Sequence, residues 1–215
     1  MKDAGLSPTP RIVLVGSGVC YGDPPPDHIP VSESCPLRPN DPYSSSKAAA
    51  DLLAIQMHLS DGLDVVIARP FNHAGPRQSP RYVLASLAAQ VAEVEAGRKD
   101  AVEVGNLDVV RDYTDVRDVV RGYRLLAEAG TPGEVYNLGT GRGLKLADAL
   151  DAFRGLAIRP IEVRVDPARV RPVDLPRLVA DASKLRAAVG WEPRIPTERT
   201  LADMLADARA RVAAG

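Results

Sequence analysis

At 215 residues the chain is long enough for one sizeable core, with room for a small second lobe. Its 27 basic and 28 acidic residues leave a net charge of −1, which argues against a general nucleic-acid or membrane-surface binder. No apolar run reaches the roughly 20 residues that span a bilayer, and no signal-peptide pattern is seen, as expected of a cytoplasmic protein. Cys20 and Cys35 offer neither a disulfide framework nor a ligand spacing, and His28, His58 and His73 are scattered, so no metal site is expected.

In chain order, MKDAGLSP reads as the tail of a helix closing at Gly5. Arg11–Val15 is a short β-branched run, the mark of a strand buried on both faces of a parallel sheet. It ends in Gly16-Ser17-Gly18-Val19-Cys20-Tyr21-Gly22, where the carboxyl end of a strand in an open α/β sheet would place Ser17 near chemistry. A proline-rich loop follows. Pro42 then suits a helix start, and Leu52, Leu53, Ile55, Met57 and Leu59 lead to Gly62 as its stop. A second buried strand, Leu63–Ala68, runs into Arg69-Pro70-Phe71-Asn72-His73, completing a βαβ unit.

Beyond it the spacing predicts a helix over about 82–96, a brief strand near 101–104 and a helix over about 115–129. That last helix carries Val116, Val119, Val120, Tyr123 and Leu126 inward. A strand at 134–138 ends in Gly139-Thr140-Gly141. A helix near 146–153, a strand near 161–165 and helices at 181–189 and 201–212 complete an α/β alternation.

The chemistry centres on Tyr43-Ser44-Ser45-Ser46-Lys47. Residues i and i+4 share a helix face, so the Tyr43 hydroxyl and the Lys47 ammonium can point into one cleft. A nearby ammonium favours phenolate and so draws a tyrosine from about 10 toward the working range of an acid–base catalyst. Taken alone, the pair reads more readily as surface residues of an amphipathic helix.

Six blocks in order resemble the extended short-chain dehydrogenase/reductase family of nucleotide-sugar epimerases, dehydratases and reductases. They are Gly16–Gly22, Tyr43–Lys47, Arg69–Asn72, Arg111-Asp112-Tyr113 with Asp115 and Asp118, Tyr136–Gly139, and Gly190–Pro193. Within the family, FNHAGPRQSP, VGNLDVVRDYTDVRDVV and RPVDLPRLVADASKL are most similar to its GDP-sugar reductases, with the GDP-sugar dehydratases next. Those dehydratases carry an acid two places before the tyrosine of the Y-G pair; here that place is Val19, which cannot move a proton.

The resemblance implies the C-terminal part of a doubly wound, Rossmann-like parallel sheet with a smaller α/β substrate-binding lobe. The nucleotide-binding part would comprise 1–72 and 106–138, and the substrate lobe 73–105 and 139–215. It implies NADP- or NAD-dependent reduction of the C4 ketone of a GDP-linked 4-keto-6-deoxy sugar, with 4-epimerisation, 4,6-dehydration or mere nucleotide-sugar binding as alternatives. Ser17, Tyr43 and Lys47 would be catalytic, with Tyr43, Lys47 and His73 contacting the cofactor. His73 is otherwise a structural histidine.

Asn72, Arg111, Arg171 and Asp174 would bind the substrate, the arginines meeting a diphosphate that suits a planar guanidinium. For each arginine the plain alternative is a solvated surface charge. A homodimer is implied for a full-length form. The family's G-x-x-G-x-x-G pyrophosphate loop does not occur before Ser17. On that comparison the chain resembles a member lacking its first half-domain.

Overall fold

The computed structural model describes residues 10–169 and 175–215. The proposed helix tail before Gly5 and the substrate residues Arg171 and Asp174 lie outside the described residues. Three strands, β1 (Ile12–Val15), β2 (Val65–Pro70) and β6 (Val135–Leu138), form a parallel sheet in the order β1-β2-β6. β1 and β2 run in register from Ile12 opposite Val65 to Val15 opposite Ala68.

Every residue of β2 is buried, and its period of two divides the sheet's faces. Val66 and Ala68 join a core with Val119, Leu126, Leu185 and Trp191, whereas Val65 and Ile67 pack with Ala54 on the other face. Fully burying a side chain of this size contributes about 1.5–3 kcal/mol, so β2 anchors the sheet. β1 departs from expectation. Among the described residues it pairs only with β2, at the edge of the three-stranded sheet, and none of its four residues is fully buried.

Between β1 and β2 lies α1 (Pro42–Asp61). Asp41 starts it with a capping box: its carboxylate accepts the Ser44 N–H at 2.8 Å, and Ser44 Oγ accepts the Asp41 N–H at 3.2 Å. Such a cap stabilises a helix by about 1 kcal/mol. Gly62 closes it in the left-handed region, at φ 63°. The buried face is Ser44, Ala48, Asp51 and Ala54, while Leu52 and Leu59 are 61 % and 78 % exposed.

A second set of strands comprises β3 (Asn72–Ala74), β5 (Val110–Asp115), β7 (Gly143–Lys145) and β9 (Arg177–Leu178), with β5 pairing the other three. β5 occupies the Arg111–Thr114 block that the sequence reads only as a lead into a helix. β4 (Ala101–Val104) and β8 (Glu162–Val165) form a separate parallel pair. Helices α2 (Val83–Glu95), α4 (Leu146–Leu156) and α6 (Thr197–Ala214) bury Leu84, Val91, Phe153, Leu201 and Leu205 in the largest core.

Helix α3 (Val116–Ala129) and the short α5 (Ser183–Val189) back the first sheet. Val120 of α3 points outward at 58 % exposure, against the inward position expected for it. Among the described residues no helix is long and apolar enough to cross a membrane, and no metal-ligand cluster of three or more His, Cys, Asp or Glu forms.

Candidate active site

Parallel pairing brings the carboxyl ends of β1 and β2 to one edge. There the chain leaves β1 as Gly16-Ser17 and leaves β2 as Phe71-Asn72-His73. Helix α1 adds Tyr43 and Lys47. The result is a cavity of about 780 Å³ lined by Ser17, Tyr43, Lys47, Asn72 and His73, a volume typical of ligand sites. Five sequence-predicted residues thus meet in one place.

Their local geometry differs in detail. Tyr43 is 59 % exposed, with its hydroxyl unengaged by any described hydrogen bond. Lys47 donates from Nζ to the Val15 carbonyl at 2.9 Å and stands 5.9 Å from the Tyr43 ring centroid. Ser17 caps the 3-10 turn Gly18–Tyr21, its Oγ accepting the Val19 N–H at 3.4 Å. His73 Nδ1 lies 3.2 Å from the Phe71 carbonyl, which orients the ring. Val19 lines the same cavity and brings no titratable group.

Arg111 lines a neighbouring cavity of about 320 Å³, with Arg81, Glu103, Asn106 and Arg169. Asn72 and Tyr82 line both cavities, so the two adjoin at these residues. Arg111 donates to the Val110 carbonyl at 3.0 Å. A hydroxyl, a phenol and an ammonium around one cavity can deliver a proton to a carbonyl oxygen and bind the charge that develops. Guanidinium groups in the next cavity suit phosphate.

The sequence reading missed Tyr82, Tyr123 and Gln78 as site residues, and they line the larger cavity together with Arg77. Tyr123 comes from α3; burial, reinforced by the neighbouring Tyr43, pushes its phenol up to about 12. It is a fixed phenol at neutral pH and no base. Arg98 does not line either cavity and donates to the Val212 carbonyl at 2.6 Å.

The remaining motif residues are structural joints. Asp112 is fully buried and accepts from Thr140 N–H and Oγ, Gly141 N–H and Ala180 N–H at 2.6–3.2 Å. The Gly139–Gly141 loop is thereby tied to a carboxylate. Asp115 caps α3, forms an ion pair with Arg117 and accepts from Thr200 of α6 at 2.7 Å. Asp118 accepts the Arg194 and Ile195 N–H groups at 2.7 and 2.8 Å. Periodicity could not have separated these acids from ligand-binding ones, because their partners are remote in sequence.

Along nearly its whole length the chain is similar to known proteins. The family model described as GDP-mannose 4,6 dehydratase matches residues 1–204. The GDP-6-deoxy-D-mannose reductase of Pseudomonas aeruginosa is 35 % identical over 213 residues, covering 99 % of this chain and 69 % of the reductase. The structure of RMD from Pseudomonas aeruginosa complexed with NADPH superposes with a TM-score of 0.91 at 33 % identity, over 98 % of this chain and 69 % of that one. A UDP-glucose 4-epimerase from Streptomyces lividans is 33 % identical over 205 residues, covering 90 % of this chain and 60 % of the epimerase.

The chain thus spans 60–69 % of the length of these relatives. With a family model matched across nearly its whole length, the chain belongs to the GDP-mannose 4,6 dehydratase family of extended short-chain dehydrogenase/reductases.

Proposed function

We propose that this site reduces the C4 ketone of a GDP-linked 4-keto-6-deoxy sugar with NADPH or NADH. The observation that carries this is one cavity holding Ser17, Tyr43 and Lys47 with Val19 at the position where the dehydratases carry an acid. Tyr43 donates its phenolic proton to the C4 oxygen. Ser17 Oγ hydrogen-bonds the same oxygen as negative charge develops there. The Lys47 ammonium stabilises the phenolate that remains and binds the nicotinamide ribose.

The residues fit the nicotinamide riboside end of the cofactor, since a phenol, an ammonium and the His73 ring share a volume of about 780 Å³. Bound NAD(P)H would supply the hydride. The adjacency of the two cavities at Asn72 and Tyr82 supports substrate lying with its sugar beside Tyr43 and its diphosphate toward Arg111. Arg171 and Asp174 belong to this proposal as diphosphate and ribose contacts. So does the interleaving of nucleotide-binding (1–72, 106–138) and substrate-binding (73–105, 139–215) segments. The exposed Leu52, Leu53 and Leu59 of α1 favour a homodimer packed through that helix.

The test is direct. Incubation with GDP-4-keto-6-deoxy-mannose and NADPH or NADH should consume reduced cofactor and yield the 4-hydroxy sugar. GDP-mannose with oxidised cofactor should stay intact. Loss of water from GDP-mannose would refute the role given to Val19. Interconversion of UDP-glucose and UDP-galactose without net cofactor use would replace reduction by epimerisation.

A further inference from the structure

Asp51 lies one turn beyond Lys47 on α1, so both side chains leave the same helix face. The Asp51 carboxylate is fully buried, and burial pushes its pKa up while Arg69 and Lys47 pull it back. Arg69 of β2, itself buried, donates from Nε to Asp51 Oδ2 at 2.7 Å. The guanidinium continues the chain, donating from Nη1 to the Tyr21 hydroxyl at 2.9 Å, which donates to Asn137 Oδ1 at 2.7 Å. One buried polar chain therefore joins α1, β2, the 3-10 turn and β6.

A brace of this kind needs only Oδ2. Oδ1 receives no hydrogen bond from any described residue, although it is enclosed by protein. It lies against Gly16, where an added Cβ would stand 2.6 Å from it. Gly16 separates Val15, whose carbonyl accepts the Lys47 ammonium, from Ser17. The charged and titratable groups facing the carboxylate are Arg69 from β2, Lys47 on α1, and Cys20 beside Tyr21 in the 3-10 turn. Among the described residues the cations that the carboxylate faces are Arg69, engaged at Oδ2, and Lys47, one helical turn away on α1.

We propose that Asp51 is a positioning residue of this active site. Its carboxylate fixes α1 on β2 through Arg69, and it is the buried counter-charge that holds the Lys47 ammonium at the end of β1. The kinetic part of the test rests on the reductase function proposed above; the chemical part does not.

Two variants separate a counter-charge from a brace. Asp51→Asn keeps the shape and removes the charge. Asp51→Leu/Arg69→Met replaces the ion pair by apolar groups, an exchange that commonly preserves stability. The chemical measurement is competitive acetylation of Lys47 in the folded protein, read by peptide mass spectrometry. With the counter-charge gone and Arg69 left in place, acetylation should accelerate about three- to tenfold in Asp51→Asn, as a single screened charge at i,i+4 spacing allows, whereas the double variant removes one charge of each sign and should stay close to wild type. The kinetic measurement is expected to show kcat lower by about tenfold or more, with KM for the keto sugar changed less than about twofold.

The double variant should regain the melting temperature without regaining kcat. Unchanged Lys47 acetylation in folded Asp51→Asn overturns the proposal. Recovery of kcat together with the melting temperature in the double variant reduces Asp51 to a brace and also overturns it. If the wild-type protein turns over no keto sugar, the reductase function fails while the acetylation result still decides the role of Asp51.

Discussion

Asp118 gives the sharpest test of how the return loop after α5 is held. Its Oδ2 accepts the Arg194 and Ile195 N–H groups, and its Oδ1 accepts Arg121 Nη2 at 2.6 Å. The side chain is only 3 % exposed, so water cannot replace these bonds without local opening. Hydrogen bonds to a charged group contribute about 1.5–3 kcal/mol each, and neighbouring bonds do not add fully. Asp118→Ala should therefore cost about 3–5 kcal/mol, or about 6–20 °C in a domain of this size.

Trp191 is the chain's one tryptophan and reports on the same joint. It is fully buried, its indole N–H donates to the Asp118 carbonyl at 2.9 Å, and the Arg121 guanidinium lies 5.9 Å from its ring. Thermal melts followed by Trp191 fluorescence should show the loss of stability, with red-shifted emission in the folded baseline. Asp118→Asn can keep an oxygen toward the two N–H groups and should cost only about 1–2 kcal/mol. Equal melting temperatures and unshifted emission for Asp118→Ala would refute the joint.

Tyr43→Phe should lose about 10²–10⁴-fold in kcat while binding sugar nucleotide almost normally, and an undiminished kcat would remove Tyr43 from the mechanism. Glu95 accepts Arg209 Nε and Nη2 at 2.7 Å and the Ile158 N–H at 2.9 Å, and the Arg209 bonds chiefly hold its carboxyl below the ordinary range. A depressed folded pKa stabilises above the unfolded value of about 4.3 and is lost as pH falls through the folded one. Glu95→Gln should therefore melt lower than wild type at neutral pH and converge with it below about pH 4; a constant difference would contradict this.

The sheet was legible where chemistry and burial agree. Val65–Ala68 is β-branched and apolar, and it is buried on both faces. β5 was not legible, because Arg111-Asp112-Tyr113-Thr114-Asp115 looks polar while Asp112, Thr114 and Asp115 are buried. Their strand depends on donors at Thr140, Gly141, Ala180 and Thr200, which no local pattern contains. β1 looks like a central strand from composition alone, yet its place at the edge depends on which strands pair. Motif order found Ser17, Tyr43, Lys47, Asn72 and His73. Tyr82 and Tyr123 reach the cavity only through the packing of α2 and α3.

Helix α1 shows why hydrophobic pattern alone misleads at this site. Its leucines suggest which face should be buried, yet Leu52, Leu53 and Leu59 are exposed while Ser44, Ala48, Asp51 and Ala54 face the protein. Lys47 can reach the Val15 carbonyl only if the helix axis comes close to the end of β1. Close approach demands small groups at the contact, and the structure has them. Asp51 Oδ1 would stand 2.6 Å from a Cβ at Gly16, and Cys20 Sγ meets the Ser44 carbonyl at 3.5 Å. A leucine on that face would push the helix outward and carry Tyr43 and Lys47 away from Ser17. Position therefore overrides patterning here, and local sequence rules fail where a site imposes its own geometry. The Asp41–Ser44 capping box at the start of the same helix offsets part of the stability lost by burying small and polar groups.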